Sequence, residues 1–340
     1  MCSDSSGRES VPPFGNTGVL SAGFTLGCFA GRRVLVDWLH GTFVGVSVRE
    51  GLERVKVLFG PKVDLDRGKR GYSNSALILS GQGWVCWDEG RPDMGVHVIL
   101  PSGALAVIAS SGDDFRGLLV ALVDLGFRVG RIDFAFDDRE GLVDIDGIVS
   151  LLDGDPGLGW SSRWRKWGYL RTSDGGKTLS FGVRSSDTCA RLYDKAVEQA
   201  VEGHWVRFEV EFKGRKAAAV ARRLYEQAVE GGDDFGSFVP GLVLGYLDFK
   251  ETGAGYTKCR WVTCSWWLEL LGCDGQKVIV SLPKEIRGLE QVKSWLFRQV
   301  APSLALVFKA KDGSDVLNSL LQDGKRRLKG HQLAMLAGAV

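Results

Sequence analysis

The segment that most constrains the fold is Trp205–Lys213, with the sequence WVRFEVEFK. Apolar and charged residues alternate along it, and a period of two predicts a β-strand whose side chains point in turn to opposite faces. One face is apolar, and the other carries Arg207, Glu209, Glu211 and Lys213. The segment therefore predicts a strand with a core on one side and charged side chains on the other.

A second strand with a charged face is predicted at Phe127–Asp137, with the sequence FRVGRIDFAFD. Alternation places Arg131, Asp133 and Asp137 together, opposite an isoleucine and two phenylalanines. If this strand neighbours Trp205–Lys213 with its apolar side on the same core, the carboxylates of both strands converge on one sheet surface. The alternative is a solvated sheet face with cross-strand Arg–Glu pairs.

The stretch Gly176–Gln199, GKTLSFGVRSSDTCARLYDKAVEQ, has Tyr193 near its centre. If its second half is a strand, Arg191, Tyr193 and Lys195 share one face. A phenol has a pKa of about 10 in water, and positive neighbours favour the phenolate. The stretch therefore indicates a tyrosine nucleophile supported by two cations, and the alternative is a half-buried strand tyrosine with solvated neighbours.

The charged faces also contain candidate ligands for a metal ion. The sequence has only four histidines, and no two are spaced as a metal-binding pair. Ligand sets made of oxygen alone suit Mg²⁺ or Mn²⁺ rather than zinc, and such a cation would polarise a phosphate. The candidates are Asp133, Glu209 and Glu211; alternation does not separate the two glutamates, and Asp37 and Asp137 stay open as further ligands.

A basic and aromatic segment, Trp160–Arg171, has the sequence WSSRWRKWGYLR. Aromatic rings can stack on unpaired bases while cations bind phosphates, so the segment is a candidate surface for single-stranded DNA. The alternative is the aromatic edge of a core with snorkelling arginines. The predicted DNA-binding residues are six from this segment and two arginines beyond it: Arg163, Trp164, Arg165, Lys166, Trp167, Arg171, Arg184 and Arg207.

Composition narrows the class of protein. Apolar residues make up 44% and charged residues 25% of the 340, as in ordinary soluble globular proteins. The net charge of +2 requires any basic surface to be local. Seven cysteines without CxxC spacing weigh against a disulfide framework or zinc ribbon and favour a reducing cytoplasm. No apolar run reaches the roughly 18 residues that would predict a membrane span.

The order of the remaining elements favours an α+β fold with a largely antiparallel central sheet, flanking helices and an active site on one sheet face. Residues 1–31, rich in Ser, Gly and Pro, are predicted to be a poorly ordered tail. Further strands are predicted at 34–48, 72–87 and 95–100, and helices at 49–59, 115–125, 144–152, 215–229 and 289–308.

Three segments taken in order resemble the Rep_trans replication initiators. They are RIDFAFDD at residues 131–138, the tyrosine stretch at 176–199, and WVRFEVEFK at 205–213. Members of this family are tyrosine DNA-nicking proteins of rolling-circle plasmids and filamentous phages. The resemblance runs from about Val34 to Val229 and continues weakly through Trp266–Phe308.

The resemblance implies a mechanism and assigns its residues. Tyr193 would attack one strand at a replication origin, giving a 5′-phosphotyrosine and a free 3′-hydroxyl, and the strand would later be rejoined. Asp133 and either Glu209 or Glu211 would hold Mg²⁺ or Mn²⁺. Residues 32–230 would form the catalytic nicking domain, and residues 231–340 a C-terminal extension of that domain and a candidate for origin recognition.

The resemblance also implies partners. They are double-stranded origin DNA, single-stranded DNA, and a host helicase and polymerase in the cytoplasm of a bacterial host cell, with no membrane; a homodimer is one assembly it allows. The alternative from another class is a non-catalytic DNA-binding regulator on the same scaffold. A nicking assay with and without Mg²⁺ separates these two functions.

Overall fold

The computed structural model describes residues 23–29, 32–65, 67–154, 158–164, 166–231, 235–251, 261–273, 275–280 and 289–328. The chain divides into two compact units, Met1–Leu282 and Pro283–Val340. This boundary lies further along the chain than the predicted division at residue 230. The described part of 235–280 therefore belongs to the same unit as the charged strands.

The first unit is built on an antiparallel sheet of eleven strands. Their bounds are β1 Phe24–Phe29, β2 Arg32–Phe43, β3 Val63–Leu65, β4 Asn74–Ile78, β5 Gly83–Trp87, β6 Val96–Pro101, β7 Phe127–Asp138, β9 Trp167–Arg171, β10 Lys177–Gly182, β11 Thr188–Asp194 and β12 Val206–Lys213. The order across the sheet is β3-β4-β5-β6-β2-β7-β12-β11-β10-β9, and β1 pairs with β2. The remaining two strands, β8 Leu158–Ser162 and β13 Leu247–Glu251, form a separate antiparallel pair.

Eight helices of the first unit lie in its described part: α1 Val48–Phe59, α2 Ser102–Ser110, α3 Phe115–Asp124, α4 Ile145–Leu152, α5 Lys195–Glu198, α6 Gly214–Val229, α7 Phe235–Leu244 and α8 Ser265–Leu271. Several begin at capping side chains. Ser47 accepts a hydrogen bond from the Glu50 amide at 3.2 Å, and Asp114 accepts one from the Gly117 amide at 2.6 Å. Such caps satisfy amides that have no partner inside the helix.

The core lies on one face of the central sheet. Phe134 and Phe136 of β7 and Phe208 and Phe212 of β12 are almost completely buried. Helix α6 packs against both strands through its own apolar stripe. Burying each such side chain stabilises the fold by about 1.5–3 kcal/mol. The period of two then sends the charged residues of the same strands to the opposite face. The predicted α+β fold with its largely antiparallel sheet is confirmed.

The prediction of a poorly ordered N-terminal tail is wrong for residues 24–29. Phe24–Phe29 forms β1 and pairs antiparallel with β2. The physical reason is burial, because the ring of Phe24 is 3% exposed and lies 5.8 Å from that of Phe115. Residues 1–22 lie outside the described part of the chain.

The second unit is helical where it is described. It contains α9 Leu289–Trp295, a π-helical turn Leu296–Val300, α10 Ala301–Phe308 and α11 Gly313–Arg326. The π turn interrupts the predicted helix 289–308 just before Pro302, and the proline occupies the first turn of α10, where a missing amide costs little. In the described part of the chain, none of the helices has the length and apolar character needed to span a membrane.

Candidate functional site

Strands β7, β12 and β11 are neighbours, and their charged faces meet on one side of the sheet. Arg207 of β12 lies between Tyr193 and Asp137, and Glu209 lies between Arg191 and a small alanine of β7. Residues opposite one another on adjacent strands of a sheet are separated by about 4.5–5.5 Å. The structure thus brings together the three faces that alternation identified.

Tyr193 is bonded to Glu209. The phenolic Oη donates to Oε2 of Glu209 at 3.2 Å, and Nη2 of Arg191 donates to Oε1 of the same carboxylate at 2.8 Å. Tyr193 is 8% exposed and Glu209 5% exposed. The carboxylate therefore joins the tyrosine to the arginine, and the cross-strand Arg–Glu pair is the arrangement that the sequence left open as an alternative.

The pKa of Tyr193 lies well above the ordinary value of a phenol. Burial is the largest cause, and the negative charge of Glu209 adds to it, while Arg207 opposes both. Burial also acts to raise the pKa of Glu209, but the charges of Arg191, Arg207 and Arg131 outweigh it and leave that pKa below its ordinary value. The expectation that cations beside Tyr193 lower its pKa is not met, because desolvation and Glu209 outweigh them.

Lys195 is not in the strand that carries Tyr193. The strand β11 ends at Asp194, whose side chain accepts a hydrogen bond from the Val197 amide at 3.0 Å and starts helix α5. The Lys195 ammonium still lies 5.6 Å from the centre of the Tyr193 ring, and it forms an ion pair with Glu198. The Arg191 guanidinium lies 5.5 Å from the same ring. Both distances fall within cation–π range.

Arg207 is enclosed by carboxylates. Its guanidinium donates to Asp137 at 2.6 and 2.8 Å and to Asp37 at 2.7 Å, and the residue is fully buried. Asp37 lies at an irregularity of β2 between Val36 and Trp38, and burial raises its pKa. The predicted contact of Arg207 with DNA is therefore wrong for this structure, because the guanidinium is buried and already paired with two carboxylates.

The three predicted metal ligands are each bound to a cationic side chain. Asp133 accepts from Nε of Arg131 at 2.8 Å, and Glu211 pairs with Arg131 at 2.5 Å and with Lys213 at 2.6 Å. Burial raises the pKa of Asp133 well above its ordinary value, although Arg131 opposes this.

Oxygen donors suit a hard divalent cation. In the described residues, however, no group of three His, Cys, Asp or Glu side chains is placed to hold a metal ion. As arranged, the carboxylates of the charged face do not fit a metal centre.

Trp164 of the basic and aromatic segment belongs to the core. It is 5% exposed, its indole Nε1 donates to the Thr188 carbonyl at 3.2 Å, and its ring stacks on Tyr246 with centres 5.3 Å apart. The predicted stacking of Trp164 on a DNA base is therefore wrong for this structure. The half-buried Trp167 also packs against the core.

The cations of the same segment are at the surface. Arg163, Lys166 and Arg171 are exposed, and Arg184 is exposed in the turn between β10 and β11. Arg163 also lies 5.3 Å from the centre of the Tyr246 ring. Arg165 lies outside the described residues. The segment therefore combines a buried ring with accessible charges.

A polar cluster on β2 and β6 was not predicted. Trp38 donates from Nε1 to Nδ1 of His40 at 3.2 Å, and the His40 and His97 rings are 5.1 Å apart. The pKa of His40 is lowered to about 3 by burial and by His97, and that of His97 to about 4 by burial and by Arg70. Both imidazoles are therefore neutral at neutral pH. The alternation of Trp38 and His40 in the sequence is the signal that could have identified this cluster.

Fold and site together define a class: an α+β protein whose open antiparallel sheet presents a tyrosine, carboxylates and arginines on one face. The chain belongs to the replication initiation factor family, Rep_trans, whose family model matches residues 127–321, more than half of its length. The matched range contains β7, β11 and β12 and so includes the charged face.

Two similar proteins support this assignment. The chain is 23% identical over 248 residues to the candidate DNA relaxase NicK of Bacillus subtilis (strain 168), an alignment that covers 61% of this chain and 68% of NicK. The structure resembles the rolling-circle replication initiator protein from Geobacillus stearothermophilus, with a TM-score of 0.60 and 27% identity. That match covers 74% of this chain and 100% of the initiator.

Proposed function

We propose that the protein starts rolling-circle DNA replication by nicking one strand of its origin, with Tyr193 as the nucleophile. The observation that carries this proposal is the position of Tyr193. It lies among charged side chains on the sheet face of a replication initiation factor, bonded to Glu209 and within cation–π distance of Arg191 and Lys195. Origin DNA and single-stranded DNA are then its substrates.

The proposed nick is a transesterification. The phenolic oxygen of Tyr193 loses its proton and forms a bond to the scissile phosphorus. The bond from phosphorus to the 3′-oxygen breaks, and that oxygen takes up a proton, leaving a 3′-hydroxyl and a 5′-phosphotyrosine. The nearest described acceptor of the phenolic proton is Glu209, 3.2 Å away. Arg191 and Lys195 would offset negative charge that gathers at the phosphate.

Later steps follow from the products of the nick. A host polymerase would extend the 3′-hydroxyl while a host helicase separates the strands, and a second transesterification would rejoin the nicked strand in the bacterial cytoplasm. A need for Mg²⁺ or Mn²⁺ stays a prediction. No step is assigned to a metal ion, because the three candidate carboxylates are bound to cationic side chains.

Replacing the tyrosine tests the proposal. Tyr193→Phe should abolish covalent attachment to an origin oligonucleotide, measured as a shifted band in denaturing gels, and should leave origin binding nearly unchanged. The matched control is Tyr169→Phe, because Tyr169 is exposed and donates to Asp146 at 2.9 Å, outside the charged face. An adduct that persists in the Tyr193 variant and disappears in the Tyr169 variant would transfer the role to Tyr169.

A non-catalytic DNA-binding regulator is the second candidate function. It is favoured by the burial of Tyr193 and by the raised pKa of its phenol, which keeps it protonated at neutral pH. A regulator would bind origin DNA with wild-type affinity and yield no nick with or without Mg²⁺. Nicking of a supercoiled origin plasmid by the wild-type protein excludes this function.

A further inference from the structure

A groove lies beside Tyr193 on the charged face of the sheet. It encloses about 390 Å³ and is lined by residues of β7, β10, β11, β12 and the turn after β10. The smallest residues of the lining are Ser180, Gly182, Cys189 and Ala190 on β10 and β11, and their small size leaves the space that forms the groove. Glu209, the partner of Tyr193, lines the groove, so the two sites are continuous.

The lining of the groove is mainly cationic. Its lining has four basic side chains, Arg131, Arg184, Arg191 and Lys213, and two carboxylates, Glu209 and Glu211; a third carboxylate, Asp133, binds Arg131 from outside the lining, which leaves an excess of positive charge. The Arg191 side chain is 39% exposed, and that of Lys213 is 28% exposed. Arg184 is exposed and has no ion pair among the residues that the structure describes. A polyanion is therefore the ligand whose charge complements this surface.

The groove runs along the strands away from Tyr193 and towards Lys213. Arg207 is directly opposite Tyr193, and Lys213 lies six residues further along β12. At a rise of about 3.3 Å per residue, Lys213 is about 20 Å from the row that contains the tyrosine. Phosphates of one stacked DNA strand are spaced about 3.4 Å along the helix axis, so this distance spans about six nucleotides, and fewer in an extended strand.

We propose that the groove holds the backbone of the unpaired substrate strand next to the nick, with Arg184 and Lys213 as its contacts furthest from Tyr193. The proposal rests on the proposed function, because it takes the nicked strand as the ligand. The small volume favours one strand over a duplex. Lys213 also donates to the Arg184 carbonyl, so it fixes the turn that presents the arginine.

The experiment measures binding without cleavage. In a Tyr193→Phe background, single-stranded origin oligonucleotides are titrated by fluorescence anisotropy against the variants Arg184→Ala and Lys213→Ala. The control is Arg222→Ala on α6, whose side chain is 80% exposed and lies outside the groove. Each oligonucleotide carries one uncharged methylphosphonate, moved a nucleotide at a time away from the nick. Thermal unfolding of every variant confirms that the fold is retained.

Each groove variant is expected to raise the Kd for single-stranded DNA about 3–10-fold. Its plot of log K against log salt should lose about 0.7 of slope for each phosphate contact removed. In the unsubstituted groove, a methylphosphonate within about six nucleotides of the nick should weaken binding. In the variant that lacks its partner cation, the same methylphosphonate should have no effect. Arg222→Ala should change none of these values.

Three outcomes would overturn the proposal: groove variants that bind like Arg222→Ala, methylphosphonate penalties that persist in every variant, or equal losses for single-stranded and duplex DNA. Failure of the proposed function is distinguishable, because binding is measured with the phenol removed. A protein that never nicks can still show the pattern. If the protein nicks DNA but lacks this binding pattern, the groove proposal is disproved and the proposed function still stands.

Discussion

Two clusters on the charged face use the same residue types in different ways. The closed cluster, Arg207 with Asp37 and Asp137, joins β12 to β7 and β2, and its arginine side chain is 1% exposed. The open cluster, Arg191 with Glu209 and Tyr193, lies on β11 and β12, and its arginine side chain is 39% exposed. The arginine of the closed cluster is out of reach of a ligand because it is buried, whereas that of the open cluster can exchange one partner for a phosphate. The two arginines carry the same charge, so the exposure of each side chain decides whether it can bind a ligand.

Replacing the two arginines should show the largest contrast. Arg207→Ala leaves two half-buried carboxylates, Asp37 and Asp137, without their fully buried cation and should lower the free energy of unfolding by about 3–5 kcal/mol. Arg191→Ala leaves the buried Glu209, but Arg207 and Arg131 still offset its charge and water can reach the place of the lost guanidinium, so it should cost clearly less; it should weaken binding of single-stranded DNA. Urea unfolding and anisotropy measure the two effects. An equal loss of stability in both variants would remove the distinction between the clusters.

His97 extends the comparison to a third polar group on the same face. Its pKa is lowered from 6.5 to about 4, so the folded state binds its proton less readily than the unfolded state. The resulting stability is fully present above pH 6.5 and is lost as the pH falls towards 4. At about 1.4 kcal/mol per pKa unit, the loss is about 3 kcal/mol. His97→Gln should flatten this part of the stability curve; an unchanged curve would contradict the burial of a neutral imidazole.

Metal dependence tests whether the ion pairs of Asp133, Glu209 and Glu211 on the charged face can rearrange. If a divalent cation binds there, Asp133→Asn and Glu209→Gln should lower nicking about 10–100-fold, more than they lower DNA binding, and excess Mn²⁺ should restore part of it. Arg131 would then have to release Asp133 and Glu211. The control is Glu226→Gln on α6, away from the face. Full activity of the wild-type protein in EDTA would exclude the cation.

Regular patterns made much of the sheet predictable. The alternation in β12 and β7 placed both strands within one residue of their observed bounds, because burial on one face fixes the side-chain period. The helix α7 was missed: it contains Pro240, and almost every residue is buried, so no amphipathic period marks it. Strand β13 was missed for a related reason, since its run of five residues is short and largely buried.

The ion pairs of the site depended on strand order, which local patterns do not contain. Alternation grouped Arg207 with Glu209 and Glu211, but it did not show that Asp37 comes from a different strand to neutralise Arg207. It also did not show that Arg131 binds Asp133 and Glu211 together. Arg131 and Asp133 are two residues apart on β7, but the contacts of Arg207 with Asp37 and of Arg131 with Glu211 join residues far apart in the chain, so they form only when the sheet does.

The basic and aromatic segment shows the same contrast within a few residues, because Trp164 is buried while Lys166 and Arg171 are exposed. Replacing these two cations should have the smallest effect of the changes proposed here. Lys166→Ala and Arg171→Ala should each weaken single-strand binding only a few-fold, and each should reduce the salt dependence by about 0.7 in slope if it removes one phosphate contact. Trp164→Ala should instead lower the free energy of unfolding by about 3–5 kcal/mol, because it empties a core position. Salt titrations and urea unfolding of the same variants measure both. If the lysine and arginine variants keep the full salt slope, these cations are a solvated edge and the DNA contacts lie on the charged face alone.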